Sequence, residues 1–288
     1  MARAAVQAPP PAPAGPEAPV RTLVVIDLAR AEAAALAQAA ELSPFEAMLL
    51  TRRRGLHLHR VLAPERAEHE AARLAAAGIE ALLVPESEAR VRPLRAVAGE
   101  LTPAGLLLRT EEARVALSRG ELLILVTGSI IRQRQTSAMR PKVETATFEP
   151  SFCVHLHRVA DPRPIEIDAS SFEPGFAAAG STLLELRTWL DALAEGVPRD
   201  DGFRLLAPAL APSETPAPSA LSAVESLHAR PPSAARADAA AGGRPSPAAA
   251  KERLLLDNLA QFRFYSGWRA AVERRRRQAA GARLPGAD

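Results

Sequence analysis

The chain has one cysteine, two lysines and eleven aromatic residues in 288 positions, and each scarcity excludes something. A single thiol, Cys153, leaves no internal disulfide and no metal site built from clustered cysteines, and it suits a reducing compartment. Lys142 and Lys251 are the only lysines, so the basic residues are almost all arginine. That Arg, Ala and Pro bias reads as the mark of a GC-rich bacterial genome, which makes the pI of about 9.7 weak evidence for nucleic acid. Aromatics supply 4% of the chain against 48% for all hydrophobic residues, much of it alanine, so the cores are expected to be small and aliphatic. No apolar run approaches the ~20 residues of a membrane span, and the opening MARAAVQAPPPAPAGPEAPV has no signal-peptide core. A soluble, cytoplasmic protein is expected.

Catalytic and nucleotide motifs are equally scarce. Neither G-x-G-x-x-G nor G-x-x-x-x-G-K-[ST] follows a strand, and no nucleophile elbow announces a Ser/His/Asp triad. Asp27 ends the first predicted strand, where a phosphoacceptor would sit, but lacks the acidic pair that would bind magnesium there. No cofactor is expected, and the reading is non-enzymatic.

What is present is organisation. Residues 1–20 hold six prolines and no period, which reads as a disordered lead-in. Thr22 to Leu28 is a β-branched apolar run, hence a buried strand, followed by an alanine-rich helix over 31–40. Ser43-Pro44-Phe45-Glu46 is a capping box with proline in the first helical position, so a second helix runs from there to Arg53. Gly55 stops it, LHLHRV (56–61) alternates as a strand, Pro64 opens a third helix, Gly78 and Ile79 close it, and Glu80 to Val84 is a strand. This order, carried by SPFEA, by Gly55 before LHLHRV and by PERAEHEAARLAAAGIEALLV, resembles the C-terminal domain of the bacterial ribosomal stalk protein and the protease-adaptor family that shares its fold. The resemblance covers Arg21 to Pro85 and implies the fold alone, since neither the factor-contacting lysines nor the peptide-capturing acids are matched.

A second domain, over 100–204, is expected from strands at 105–110, 113–117, 121–132, 152–159 and 164–167, then a helix from Thr182 with Leu183, Leu186, Leu190 and Leu193 on one face. Antiparallel strands closed by one amphipathic helix resemble the pleckstrin-homology-like barrel. A generic α+β sheet capped by a helix is the competing reading. Residues 207–250 hold eight prolines and sixteen alanines, a semi-extended linker. The fold class is thus α+β, with two small domains (21–88 and 100–204), a linker over 205–250 and a C-terminal helix over 251–280.

Three features compete as sites. His57 with His59, and His155 with His157, stand two apart in LHLHRV and VHLHRV, a spacing that can chelate a metal. Spacing indicates no third ligand, so the histidines are expected to line the outer strand face and no metal is assigned. The second feature is basic: Arg132, Arg134, Arg140 and Lys142 have no acid among them, and residues 251–288 carry nine basic groups against four acidic ones, including Arg274, Arg275, Arg276 and Arg277. These could hold an anionic ligand or a membrane surface, with a solvated loop as the plain alternative.

The third is DNLAQFRFYSGW (257–268), which concentrates four of the eleven aromatics in seven positions. On a helix, Leu255, Leu259 and Phe262 form one stripe and Tyr265, Trp268 and Val272 an adjacent one, a broad apolar face ending in Arg274 to Arg277. Hung on a long linker, such a helix reads as a recognition segment. The expected function is a bacterial adaptor or regulatory scaffold that binds a protein partner through Leu255, Leu259, Phe262, Phe264, Tyr265 and Trp268, with self-docking of the helix the competing outcome. The alternative is a peripheral membrane or anionic-ligand module. Composition leaves the oligomeric state open.

Overall fold

The computed structural model describes residues 20–102, 105–137, 144–174, 188–192, 195–204 and 251–282. The protein is α+β and divides into two compact units, Met1–Pro85 and Glu86–Asp288. The lead-in up to residue 19, the linker over 205–250, Arg140 and Lys142 lie outside the described residues, as do Leu183, Leu186 and Leu193 of the expected helix.

Unit 1 follows the predicted order: β1 (Thr22–Asp27), α1 (Ala33–Ala40), α2 (Pro44–Arg53), β2 (Leu56–Leu62), α3 (Pro64–Ala76) and β3 (Ala81–Pro85). β1 lies between β2 and β3 and runs antiparallel to both. Val24 and Ile26 pack with Leu36, Ala47, Ala67, Leu74 and Ile79 from the helices and their ends. The capping box forms as the sequence requires: Ser43 Oγ accepts from the Glu46 amide at 3.2 Å, and the Glu46 carboxylate accepts from the Ser43 amide at 2.9 Å. Gly78, at φ +75°, turns the chain out of α3 so that buried Ile79 can close the core.

Unit 2 comprises α4 (Glu86–Ala89), β4 (Leu94–Thr102), β5 (Gly105–Thr110), β6 (Arg114–Leu117), β7 (Leu122–Ser137), β8 (Glu144–Arg158), β9 (Ile165–Asp168), β10 (Glu173–Pro174), β11 (Arg199–Asp200), β12 (Lys251–Asp257) and α5 (Leu259–Ala282). Its sheet has the order β11-β7-β8-β9-β4-β5-β6, with β10 added to β4 and β12 to β7. One apolar cluster gathers Leu94, Ala96, Leu106, Leu108, Leu117, Leu125, Leu156 and Ile167 from one face of the curled sheet. Trp189 and Leu190, in a helical stretch over 188–192, pack into the same cluster, so a piece of the expected capping helix covers this face of the curled sheet.

Four expectations change. β4 was not foreseen, because its inward positions include Ala96 and the alternation is too faint to register. The sheet is mixed rather than antiparallel, since β9 and β10 pair with β4 in parallel and β11 does so with β7. Residues 251–257 form a strand instead of the first turns of a helix. The far end of β7 offers them a row of backbone partners, and that ladder outweighs the local helix propensity. Finally, α5 belongs to unit 2 and does not stand apart from it: Phe262, Phe264, Tyr265 and Trp268 are all buried.

Gly267, which looks like a weak point in α5, is required by packing. A Cβ there would lie 2.1 Å from the Ala89 carbonyl oxygen, on the backbone of α4. Gly→Ala inside a helix ordinarily stabilises by about 1 kcal/mol. Here Gly267→Ala is expected to lower the melting temperature of unit 2, and a rise on thermal unfolding would contradict the close crossing.

Candidate functional site under the C-terminal helix

Strand alternation builds the floor on which α5 lies. Along β8, Val154 and Leu156 enter the core of the curled sheet, so Cys153, His155 and His157 point to its outer face. Register sets their neighbours: His155 stands opposite Val126 of β7 and Glu166 of β9, and Cys153 opposite Gly128 and Asp168. The histidines do not face solvent as expected. Both faces of β8 are covered, and His155 and His157 are each 1% exposed.

The apolar half of the seam is a socket. A Cβ at Gly128 would sit 2.5 Å from the Phe262 ring, so glycine leaves the hollow that Phe262 fills. The Phe262 ring meets His155 edge-on at 4.7 Å and Phe203 at 5.4 Å, and Trp268 packs against Tyr265 at 5.1 Å. Asn258, just before α5, donates to the Ser129 carbonyl at 3.2 Å and accepts from the Ile131 amide at 2.9 Å, pinning the helix entry to β7.

The polar half is more directional. Arg263 donates twice to Glu166, from Nε and from a terminal nitrogen, each at 2.6 Å. Burial alone would raise the Glu166 carboxyl, but the bonds from Arg263 and His155 outweigh it and hold it down at about 2. Ser266 Oγ lies 2.9 Å from His155 Nδ1 and 2.7 Å from His157 Nε2, while His155 Nε2 lies 3.1 Å from Glu166. For neutral imidazoles only one proton arrangement satisfies every contact. Ionised Glu166 can only accept, so His155 carries its proton on Nε2 and Nδ1 is bare. Ser266 therefore donates to His155 Nδ1, and His157 Nε2–H donates to Ser266. The chain ends on His157 Nδ1, a buried nitrogen with no partner among the described residues.

Ser266, His155 and Glu166 thus have the order of a nucleophile, base and orienting acid. Their setting is that of a clamp, because Ser266 is 0% exposed beneath its own helix and Glu166 is saturated by Arg263. Further along α5, Asp200 accepts from Tyr265 at 2.7 Å and pairs with Arg269.

Some of the basic candidates are drawn inward too, while Arg276 and Arg277 stay exposed. Arg132 pairs with Asp168 at 2.5 Å and contacts Ser170; the side chain of Arg134 lies outside the described residues. Arg274 donates to the carbonyls of Asp161 and Pro162, Arg275 forks onto Glu88, Arg277 reaches the Leu123 carbonyl, and Arg276 also has an interaction partner. Arg274, Arg275 and Arg277 thereby tie the helix to the rest of unit 2. Of the aromatic candidates, Leu259 is half-buried at the start of α5, and the Leu255 side chain lies outside the described residues.

In unit 1 a bulge opposite Val24 turns both His59 and Arg60 towards buried Glu70 of α3, at 2.8 and 3.5 Å. His57 is pushed down to about 4 by burial and by the neighbouring His59 and Arg53. The two histidines of LHLHRV are therefore held apart in role, one bonded to a carboxylate and one desolvated.

Glu166 and Asp168 were missed, although IEID following VHLHRV carries the signal. Two acids alternating in one strand and two histidines alternating in its hairpin partner become neighbours once the register is set. No helix of the described residues is long and apolar enough to cross a membrane. Comparison with protein-family models, with curated proteins and with solved structures finds no match for this chain.

Proposed function

We propose that the protein is a non-enzymatic adaptor or regulatory scaffold of the cytoplasm, in which the outer face of unit 2 is a receptor for an aromatic, arginine-bearing helix and holds its own α5 until a partner takes either the helix or its place. The observation that carries this reading is the chemistry of the seam. The Gly128 hollow reads a phenylalanine, Glu166 reads an arginine one residue on, and the two histidines read a serine three residues further. A plain core helix needs shape and greasiness; this one is recognised group by group.

The connection supports the same view. About 36 Å of β7 separates the partners of β11 and β12, eleven residues apart at ~3.3 Å each. The 46 residues between 205 and 250 can reach up to about 150 Å. The tether sets no position for α5, so the pairing of β12 with β7 and the seam do.

The test uses the full chain with a protease site placed within 205–250. After cleavage, a fluorescent peptide spanning 251–282 is expected to exchange with the severed helix and to gain anisotropy, whereas the same peptide with Phe262→Ala is expected to remain free. A severed helix that never exchanges would make α5 a permanent part of the core and remove the adaptor reading.

A further inference from the structure

Beneath α5, the Cys153 sulfur, an imidazole nitrogen of His155 and a Glu166 carboxylate oxygen all lie within 4.8 Å of one another, and all three residues are buried. Adjacent strands place them: Cys153 and His155 are two apart on the outer face of β8, with Glu166 directly across from His155. The Cys153 thiol is 0% exposed and makes no hydrogen bond among the described residues, so it brings an unused donor to the group. The spacing in VHLHRV suggested two histidines without a third ligand; the fold supplies one histidine with a sulfur and a carboxylate.

We propose that Cys153, His155 and Glu166 form a binding site for a thiophilic divalent cation of the zinc type, which takes the place of the Arg263 guanidinium. Thiolate, imidazole and carboxylate together are a donor set suited to zinc and cobalt. The charge balances. A dication enters, the thiol proton of Cys153 leaves for solvent, and Arg263 withdraws one positive charge, so the buried cluster keeps its net charge. Arg263 has somewhere to go, since its side chain is 35% exposed while that of Glu166 is 1% exposed. The same side chain marks the entry route for the ion.

The proton chain accommodates the exchange. The metal needs the lone pair of His155 Nε2, the nitrogen that faces Glu166. The His155 proton then resides on Nδ1 and donates to Ser266, Ser266 donates to His157 Nε2, and the His157 proton moves to Nδ1, the nitrogen without a partner among the described residues. The number of protons in the chain is unchanged, and His155 gains the outer hydrogen bond that metal-bound histidines make.

The experiment is a Co2+ titration of the uncut full chain followed by absorption, with circular dichroism confirming the fold. The expected result is one equivalent bound, a thiolate-to-cobalt charge-transfer band in the near ultraviolet, and release of one proton per ion. Cys153→Ser is expected to abolish the band. Arg263→Gln removes the competing cation and is expected to tighten binding roughly tenfold or more, the scale of one unit charge nearby at an effective dielectric of ~20. Absence of the band in the folded wild-type chain would overturn the proposal, as would a band that survives in Cys153→Ser.

Discussion

Arg263→Gln is expected to destabilise unit 2 by about 3–5 kcal/mol, the range for removing one partner of a buried ion pair. Glu166→Gln, at the other end of the same pair, is expected to cost only about 1–3 kcal/mol, the range for a lost hydrogen bond with its desolvation. The order follows from where each orphan is left. Without Arg263, Glu166 is an anion at 1% exposure, left with the His155 Nε2–H bond and the more distant, half-exposed Arg95 at 3.7 Å. Without the carboxylate, Arg263 can turn a 35% exposed guanidinium into water. Urea unfolding followed by fluorescence measures both variants in one unit, because Trp189 and Trp268 are the only tryptophans and both lie in unit 2. Equal losses, or a larger loss for Glu166→Gln, would mean that the pair is not the anchor of α5. An added divalent ion should restore part of the Arg263→Gln loss if the cation site exists, since binding to the folded state alone is stabilising.

Much of the architecture could be read in the residues because local chemistry and tertiary structure agree there. Ser43 and Glu46 start a helix by their own hydrogen bonds with Pro44 in its first position, and Gly78 ends one by its φ, so unit 1 was legible in order and nearly in boundary. Where the long-range partner decides, the sequence was silent. Residues 251–257 look helical until the far end of β7 is placed beside them, and β4 exists because β5 and β9 flank it. The aromatic patch was visible, but its expected stripe took in Leu255, which lies in β12, and a run of residues cannot say what covers it. The length of the linker is what favours adaptor binding in the sequence. A linker measures reach, though, and reach permits docking at home as readily as abroad. The seam was the least legible part, because its members are scattered from Gly128 to Ser266 and meet only through strand register and the crossing of α5.

The second large effect is acid release of that seam. Burial drives the His157 pKa well below its usual value, with His155 and Arg274 adding to the shift, and burial likewise lowers His155 despite the opposing bond to Glu166. In the unfolded chain both imidazoles take up a proton near pH 6.5, while in the folded chain they remain neutral to lower pH. The unfolded state therefore binds more protons throughout that window, and stability falls as pH drops below about 6.5, by about 1.4 kcal/mol per pH unit for each histidine. With both seam histidines contributing, the slope is expected to approach about 2.7 kcal/mol per unit. The cause is visible in the proton chain. A proton added at His157 Nδ1 meets no acceptor among the described residues, and one added at His155 Nδ1 evicts the Ser266 hydroxyl while Arg263 stands nearby. Below about pH 4.5 the carboxylates join in, since Glu166 and Asp168 are each held down at about 2 and their contribution is lost as pH falls towards that value. His57 titrates in unit 1 and is outside the tryptophan signal, so the measured slope belongs to unit 2. The decisive variant is His157→Gln, which keeps a donor for Ser266 but cannot take up a proton. It is expected to lose about half of the slope between pH 6.5 and 5, and an unchanged slope would place the proton uptake elsewhere than beneath α5.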